Sequence, residues 1–255
     1  MLKSIYFVLK RTRINLLYRQ LKKLLPSALI SWVNKLSANY DPTPLVIVQE
    51  LEPQYVKAVR LLSHLVGPAN IGDYLEFGVC HGTSLICMNK ALQKNQINNI
   101  RLFGFDSFEG LPPSAAYDPT NNWQPGEFAS SIEFTTENLS KNGIDWNRTF
   151  LIKGWYSETL TADLKAKYKI EKASLINIDC DLHSSAKEAL DFCAPLIRDS
   201  AVVFFDDWTE EYVGEKQAFD EFLKENSHYT YEDIGAYKPA GKIFLVHNIK
   251  AKQSS

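Results

Sequence analysis

Residues 74–84, Tyr74-Leu-Glu-Phe-Gly-Val-Cys-His-Gly-Thr-Ser84, read as a strand that passes through a glycine turn into a helix. A short apolar run, then Gly78 and Gly82, then a helical pattern over Thr83–Gln93 is the opening unit of an α/β fold. Glycine lets a backbone approach a ligand closely, and the helix start behind it offers N–H groups to a carboxylate or phosphate. The G-x-x-x-G spacing is not the GxGxxG dinucleotide fingerprint, so this segment alone also fits a tight turn with no ligand.

Outward from this unit, apolar strands alternate with helical patterns. Strands are expected at Tyr74–Val79, Arg101–Phe105, Thr149–Lys153, Ser174–Asp179, Ala201–Phe205, Tyr229–Ile234 and Lys242–Val246. Helices are expected near Gln54–Val66, Thr83–Gln93, Ile132–Lys141, Thr159–Tyr168, Ser185–Leu196 and Gly214–Glu225. Such alternation predicts a mainly parallel sheet with helices on both faces. The last two strands have only a turn around Lys238–Gly241 between them, which predicts an antiparallel hairpin at one edge. Residues 112–130 break the rhythm as a Pro- and Asn-rich loop, the length and composition of a lid.

Upstream lies a different kind of segment. Residues 1–44 read as a basic amphipathic arm and linker, and residues 45–255 as the main domain. Eight of the 28 Lys and Arg and none of the 30 Asp and Glu fall in residues 1–40, a local charge of +8 that leaves −10 for the rest. That sign argues against a nucleic-acid surface on the main domain. Ile14, Leu17, Leu21 and Leu24 form an apolar stripe on the arm. It suits an anionic membrane surface, or packing on the domain or across a dimer, and a homo-oligomer is expected. No apolar run approaches the ~18 residues of a membrane span. The stretch Ile5–Leu9 is too short for a signal-peptide core. Cys80, Cys87, Cys180 and Cys193 show no metal or disulfide spacing, which points to reduced thiols and a cytoplasmic protein with peripheral membrane contact open to residues 1–40.

Two acidic constellations carry the chemistry. Asp106 closes the strand in Phe103-Gly-Phe-Asp-Ser-Phe-Glu-Gly-Leu-Pro-Pro113, where ligands of doubly wound sheets sit. A carboxylate there can take both ribose hydroxyls, or simply shape a turn. Leu175-Ile-Asn-Ile-Asp-Cys-Asp-Leu-His-Ser-Ser185 and Val202-Val-Phe-Phe-Asp-Asp-Trp208 are apolar strands that end in acids. If they are neighbours, Asp179, Asp206 and Asp207 converge, and such crowding calls for protons or a cation. An all-oxygen set favours Mg²⁺, Mn²⁺ or Ca²⁺ over zinc, while helix capping is the plainer alternative. Extended backbone would set Asp179 and Asp181 on one side with Cys180 opposite, in the core. His183 is either a proton relay or a solvated residue of a helix's first turn. Trp155 and Tyr156 either flank an adenine or plug a loop.

Taken in order, these motifs resemble the macrocin O-methyltransferase family. The matching pieces are Leu75–Val79 with Gly82 and Ser84, Gly104–Pro112, Trp123–Phe128 and Lys153–Trp155. Asp179-x-Asp181-Leu-x-Ser-Ser185, Phe205–Trp208 and Gly214-Glu215 complete the series. The resemblance covers about residues 72–220 and implies a class I S-adenosylmethionine-dependent methyltransferase fold, a Rossmann-like three-layer sandwich with strand order 3-2-1-4-5-7-6. By that likeness Glu76, Gly78, Gly82 and Ser84 shape the methionine end of the cofactor site. Asp106 and Ser107 lie at the ribose, and Gly154, Trp155, Tyr156 and Ser157 border the adenine. Asp179, Asp206 and Asp207 match magnesium (or manganese) ligands, Asp181 the general base, and His183 stands where the family usually has Tyr. The acceptor implied is a hydroxyl of a sugar or a polar, glycosylated small molecule. A non-catalytic cofactor-binding protein and a nicotinamide-dependent oxidoreductase are the other readings, and the glycine spacing argues against the second.

Overall fold

The structure is a computed structural model that describes residues 46–117, 123–209 and 214–250. Three of its strands, β1 (Asp73–Phe77), β4 (Ala173–Ile178) and β5 (Ser200–Phe205), are buried along their whole length, as central strands covered on both faces must be. β2 (Leu102–Asp106) and β3 (Thr149–Lys153) continue the sheet on one side. β7 (Lys242–Asn248) and the exposed edge strand β6 (Tyr229–Gly235) continue it on the other. The order is β3-β2-β1-β4-β5-β7-β6. The first five strands pair in parallel, and β7 runs antiparallel to both β5 and β6, which is the expected hairpin.

Side-chain alternation builds two cores. Tyr74, Leu102, Leu175, Val202 and Leu245 face α1 (Val48–Val66) and α2 (Thr83–Lys94). Their neighbours Leu75, Phe103, Ile176, Val203 and Phe244 point the other way, among residues of α6 (His183–Cys193) and α7 (Gly214–Glu225). This second layer is strongly aromatic: Phe205, Phe219 and Phe244 lie with ring centroids 5.1–6.0 Å apart. Between the chain's two halves, α3 (Ile132–Lys141) is capped by Ser131, whose side chain accepts from the amide of Phe134.

Several boundaries differ from expectation. α1 begins at Val48 rather than near Gln54, because Pro53 lies close enough to the helix start to forgo a bond without ending the helix. The helix expected over Thr159–Tyr168 is two short ones, α4 (Tyr156–Thr159) and α5 (Ala162–Tyr168). Thr161 divides them by turning extended and capping the amide of Leu164. β1 and β4 stop at Phe77 and Ile178, so the residues expected at their ends belong to loops. The arm over residues 1–44 lies outside the described residues. Among those described, no helix is long and apolar enough to cross a membrane.

Candidate active site

At the carboxyl ends of the parallel strands lies a cavity of about 620 Å³. Its shape begins at Gly78, which has φ +93° and whose missing side chain leaves room for the carbonyl oxygen of Asp179. The turn from strand to helix and the turn after β4 therefore press directly together, and both line the cavity.

Beneath the glycine turn, Glu76 is fully buried and accepts hydrogen bonds from Tyr74 (2.5 Å) and Ser84 (2.6 Å). Burial pushes its carboxyl up to about 8, with those two donors pulling the other way. Asp106 accepts the amides of Val79 and Cys80 through one oxygen, each at 2.8 Å, and that of Phe108 through the other at 2.6 Å. Burial raises its pKa while these amides oppose the rise. Asp106 is thus a turn-shaping aspartate and a cavity-lining one at once. Ser84, Ser107 and the run Gly154, Trp155, Tyr156 and Ser157 also line the cavity. Glu76 and Gly82 stand behind the wall: Gly82 precedes α2 at φ +78°, packed toward Leu139.

The other end is acidic. Asp179, Asp181, Asp206 and Asp207 all border the cavity. The extended backbone assumed for these two residues does not persist: β4 has already ended and Asp181 takes a left-handed φ of +63°, yet Asp179 and Asp181 both border the cavity. The Asp181 carboxyl hydrogen-bonds that of Asp207, and burial first and the Asp207 charge second raise its pKa. Asp179 is raised by burial and then by Asp206. Asp207 is raised by burial and Asp206, and its hydrogen bond with Asp181 lowers it again. Asp206 takes the hydroxyl of Tyr237 on Oδ1 and the ammonium of Lys238 on Oδ2. Among the described residues, no three of the acidic, His or Cys side chains converge as a ready-made cation site.

Glu215, the first-turn acid of α7, binds both strand ends. Its two oxygens accept the amides of Cys180 (3.3 Å) and Asp207 (3.1 Å) from full burial. Gly214 before it leaves space for the backbone of Asp181 and His183. Sequence reasoning quoted Gly214-Glu215 but saw no role for it, and it missed Tyr237 and Lys238 altogether. Ser184, Ser185 and Glu188 on α6 also line the cavity, and helical spacing from the Asp181 turn is the signal that could have found them. His183 is placed elsewhere. Its Nε2 lies 3.0 Å from Glu221 on α7, outside the cavity wall, because the first turn of α6 directs it along the helix pair. Cys180 is buried in the aromatic core, as expected, and also borders the cavity.

The loop after β2 closes on itself through Leu111 and Gly126–Glu127 backbone bonds. Leu111, Ala115, Trp123 and Leu182 form a small apolar cluster under it. From there Pro112, Ser114 and Trp123 form part of the cavity wall.

The sheet order, the glycine turn after the first strand and the acid closing the second define the class I methyltransferase fold. A family model described as macrocin-O-methyltransferase matches residues 59–234, and the chain belongs to that family. A 4'-O-methyltransferase of Streptomyces olivaceus, named for 8-demethyl-8-(2,3-dimethoxy-alpha-L-rhamnosyl)-tetracenomycin-C, is 28% identical over 143 residues. The match takes in 54% of this chain and 53% of the relative, so the chain spans about half the length of the curated relative it matches. The solved structure of the O-methyltransferase NovP shares the fold at a TM-score of 0.64 and 21% identity, covering 76% of this chain and 78% of its own. The calicheamicin methyltransferase CalS11 does so at 0.62 and 22%, covering 84% and 90%.

Proposed function

We propose that this protein is an S-adenosylmethionine-dependent O-methyltransferase that methylates a hydroxyl of a sugar or a glycosylated polar small molecule, with help from a divalent cation, Mg²⁺ or Mn²⁺. The observation that carries this reading is one continuous cavity with the glycine turn, Asp106 and the Gly154–Ser157 turn at one end and four aspartates at the other. Support for a sugar acceptor comes from the names of relatives: one refers to a rhamnosyl group, another to TDP-rhamnose.

The donor chemistry fits a hard cation. Asp179, Asp206 and Asp207 offer only carboxylate oxygens, and each of Asp179 and Asp207 is pushed up by Asp206 in addition to burial. Those three would hold the ion. When bound, it would polarise the acceptor hydroxyl and lower its pKa.

The chain's own residues do the rest. The backbone around Gly78 and the Asp106 carboxyl orient the cofactor, whose reactive methyl must face the acids. Asp181, which borders the cavity beside Asp207, would accept the acceptor's proton as general base. Glu215 keeps the Asp207 and Cys180 backbones in register, which fixes where the acceptor oxygen sits. The loop over residues 112–130 serves as the lid that excludes water, and residues 45–255 form the methyltransferase domain.

The test is calorimetric titration with S-adenosylmethionine, followed by a methyl-transfer assay on rhamnosylated acceptors with and without excess chelator. Cofactor binding in the micromolar range and transfer abolished by chelator are expected. Full turnover in chelator would remove the cation from the reading, and absence of cofactor binding would remove the reading itself.

A further inference from the structure

The turn between β6 and β7, expected only as a hairpin connection, reaches back to the acid cluster. Its backbone is fixed. Gly241 donates to the carbonyl of Lys238 at 3.0 Å, and the amide of Trp208 donates to the carbonyl of Ala240 at 2.6 Å. The second bond pins the turn to the residue directly after Asp207. From this base Tyr237 and Lys238 occupy the two oxygens of Asp206.

Lys238 pairs with the acid that shares one cavity wall with the other two assigned to the cation, Asp179 and Asp207. The Lys238 side chain is 25% exposed and that of Asp206 14%, which leaves the ammonium a route to solvent on its four-carbon stem. A dication and an ammonium drawn to the same carboxylate repel each other, and the flexible one is the one that can leave.

We propose that Lys238 is the resident counter-cation of the acid cluster, and that a divalent ion takes its place on Asp206 only by displacing it. This rests on the cation reading given above. It makes Lys238 a positioning residue that neutralises Asp206 until the ion arrives and sets how tightly the ion is held. Tyr237 stays on the other oxygen and keeps the Asp206 carboxylate aimed.

The experiment compares the full-length protein with Lys238→Met, Lys238→Gln and Lys238→Arg. Mn²⁺ binding is read by electron paramagnetic resonance of the free ion, and thermal unfolding is read with and without Mn²⁺. Lys238→Met should bind Mn²⁺ about tenfold or more tightly than the parent, since no ammonium has to be expelled. Without metal it should unfold at a lower temperature, and saturating Mn²⁺ should restore the difference. Lys238→Gln, which keeps a donor for Asp206 and guards against a folding failure of the methionine variant, should follow it. Lys238→Arg should behave as the parent. Equal Mn²⁺ affinity in all four proteins overturns the exchange and leaves the cation reading intact. No Mn²⁺ binding by any of them overturns the cation reading, and the exchange with it.

Discussion

The two ends of the cavity solve the problem of buried charge in opposite ways. At the cofactor end, Glu76 is buried and Asp106 partly so, yet each is satisfied by donors of its own neighbourhood: two hydroxyls for Glu76, three amides for Asp106. At the acceptor end, Asp179, Asp181 and Asp207 have acids for neighbours, and their pKa values rise through burial first and the neighbouring carboxylates second. Hydrogen bonds from the backbone preorganise the first end as it folds. At the second, Lys238 pairs with Asp206, Asp181 hydrogen-bonds Asp207, and the crowded carboxyls repel one another. A site that must release its product has reason to finish one half in advance and leave the other unfinished.

The largest effect that would sharpen this contrast is expected at the unfinished end. Asp181→Asn should lower kcat by about 10²- to 10⁴-fold while cofactor affinity stays within about twofold, read by steady-state kinetics and calorimetry. A matching loss of cofactor binding would mean that the two ends are not separable. Next comes the seam between them. Gly78→Ala places a Cβ against the carbonyl oxygen of Asp179 at a φ of +93°, and should cost about 3 kcal/mol or more in urea unfolding. A near-neutral result would show that the two turns can move apart. The smallest effect belongs to Glu76, whose pKa rises from 4.5 unfolded to about 8 folded. Between those values the folded state holds a proton that the unfolded state has lost, so stability falls as pH rises through this window and levels off above it. The other buried acids slope the same way, and Glu76→Gln isolates its share. The parent should lose more stability than the variant from about pH 5 to about pH 8, by at most a few kcal/mol. Parallel curves would mean that Glu76 is ionised in the fold and the finished end is not neutral.

What the sequence discloses follows from range. The strands and most helices are legible because burial repeats every second or every third to fourth residue, a local pattern. The acids at the ends of β4 and β5 are legible for the same reason: an apolar run that stops on aspartate is conspicuous. The grouping of those acids is not. Asp181 reaches the cavity through a left-handed backbone rather than strand alternation, and no periodicity announces that. The partners of Asp206 lie 31 and 32 residues downstream in a turn whose composition suggests only a hairpin. Glu215 acts through backbone amides of residues 8 and 35 positions away, and backbone groups leave no mark in a sequence. His183 drew attention by standing beside Asp181, but chain adjacency at a helix start does not set direction, and it points to Glu221 instead.

The slot above Gly78 also imposes an order in time. In synthesis the glycine turn, Asp106 and the Gly154–Ser157 turn all leave the ribosome before residue 179 does. β1 lies between β2 and β4, and until β4 pairs on its free side the slot has no carbonyl to receive. The parts of the cofactor end are therefore made early and assembled late, since a parallel pairing about 100 residues apart must form first. The acceptor end waits longer still, for Glu215 and then for the turn bearing Lys238, within the last 40 or so residues of the chain. A nascent chain that stops short of that turn would carry its acids with no cation of its own to hold them.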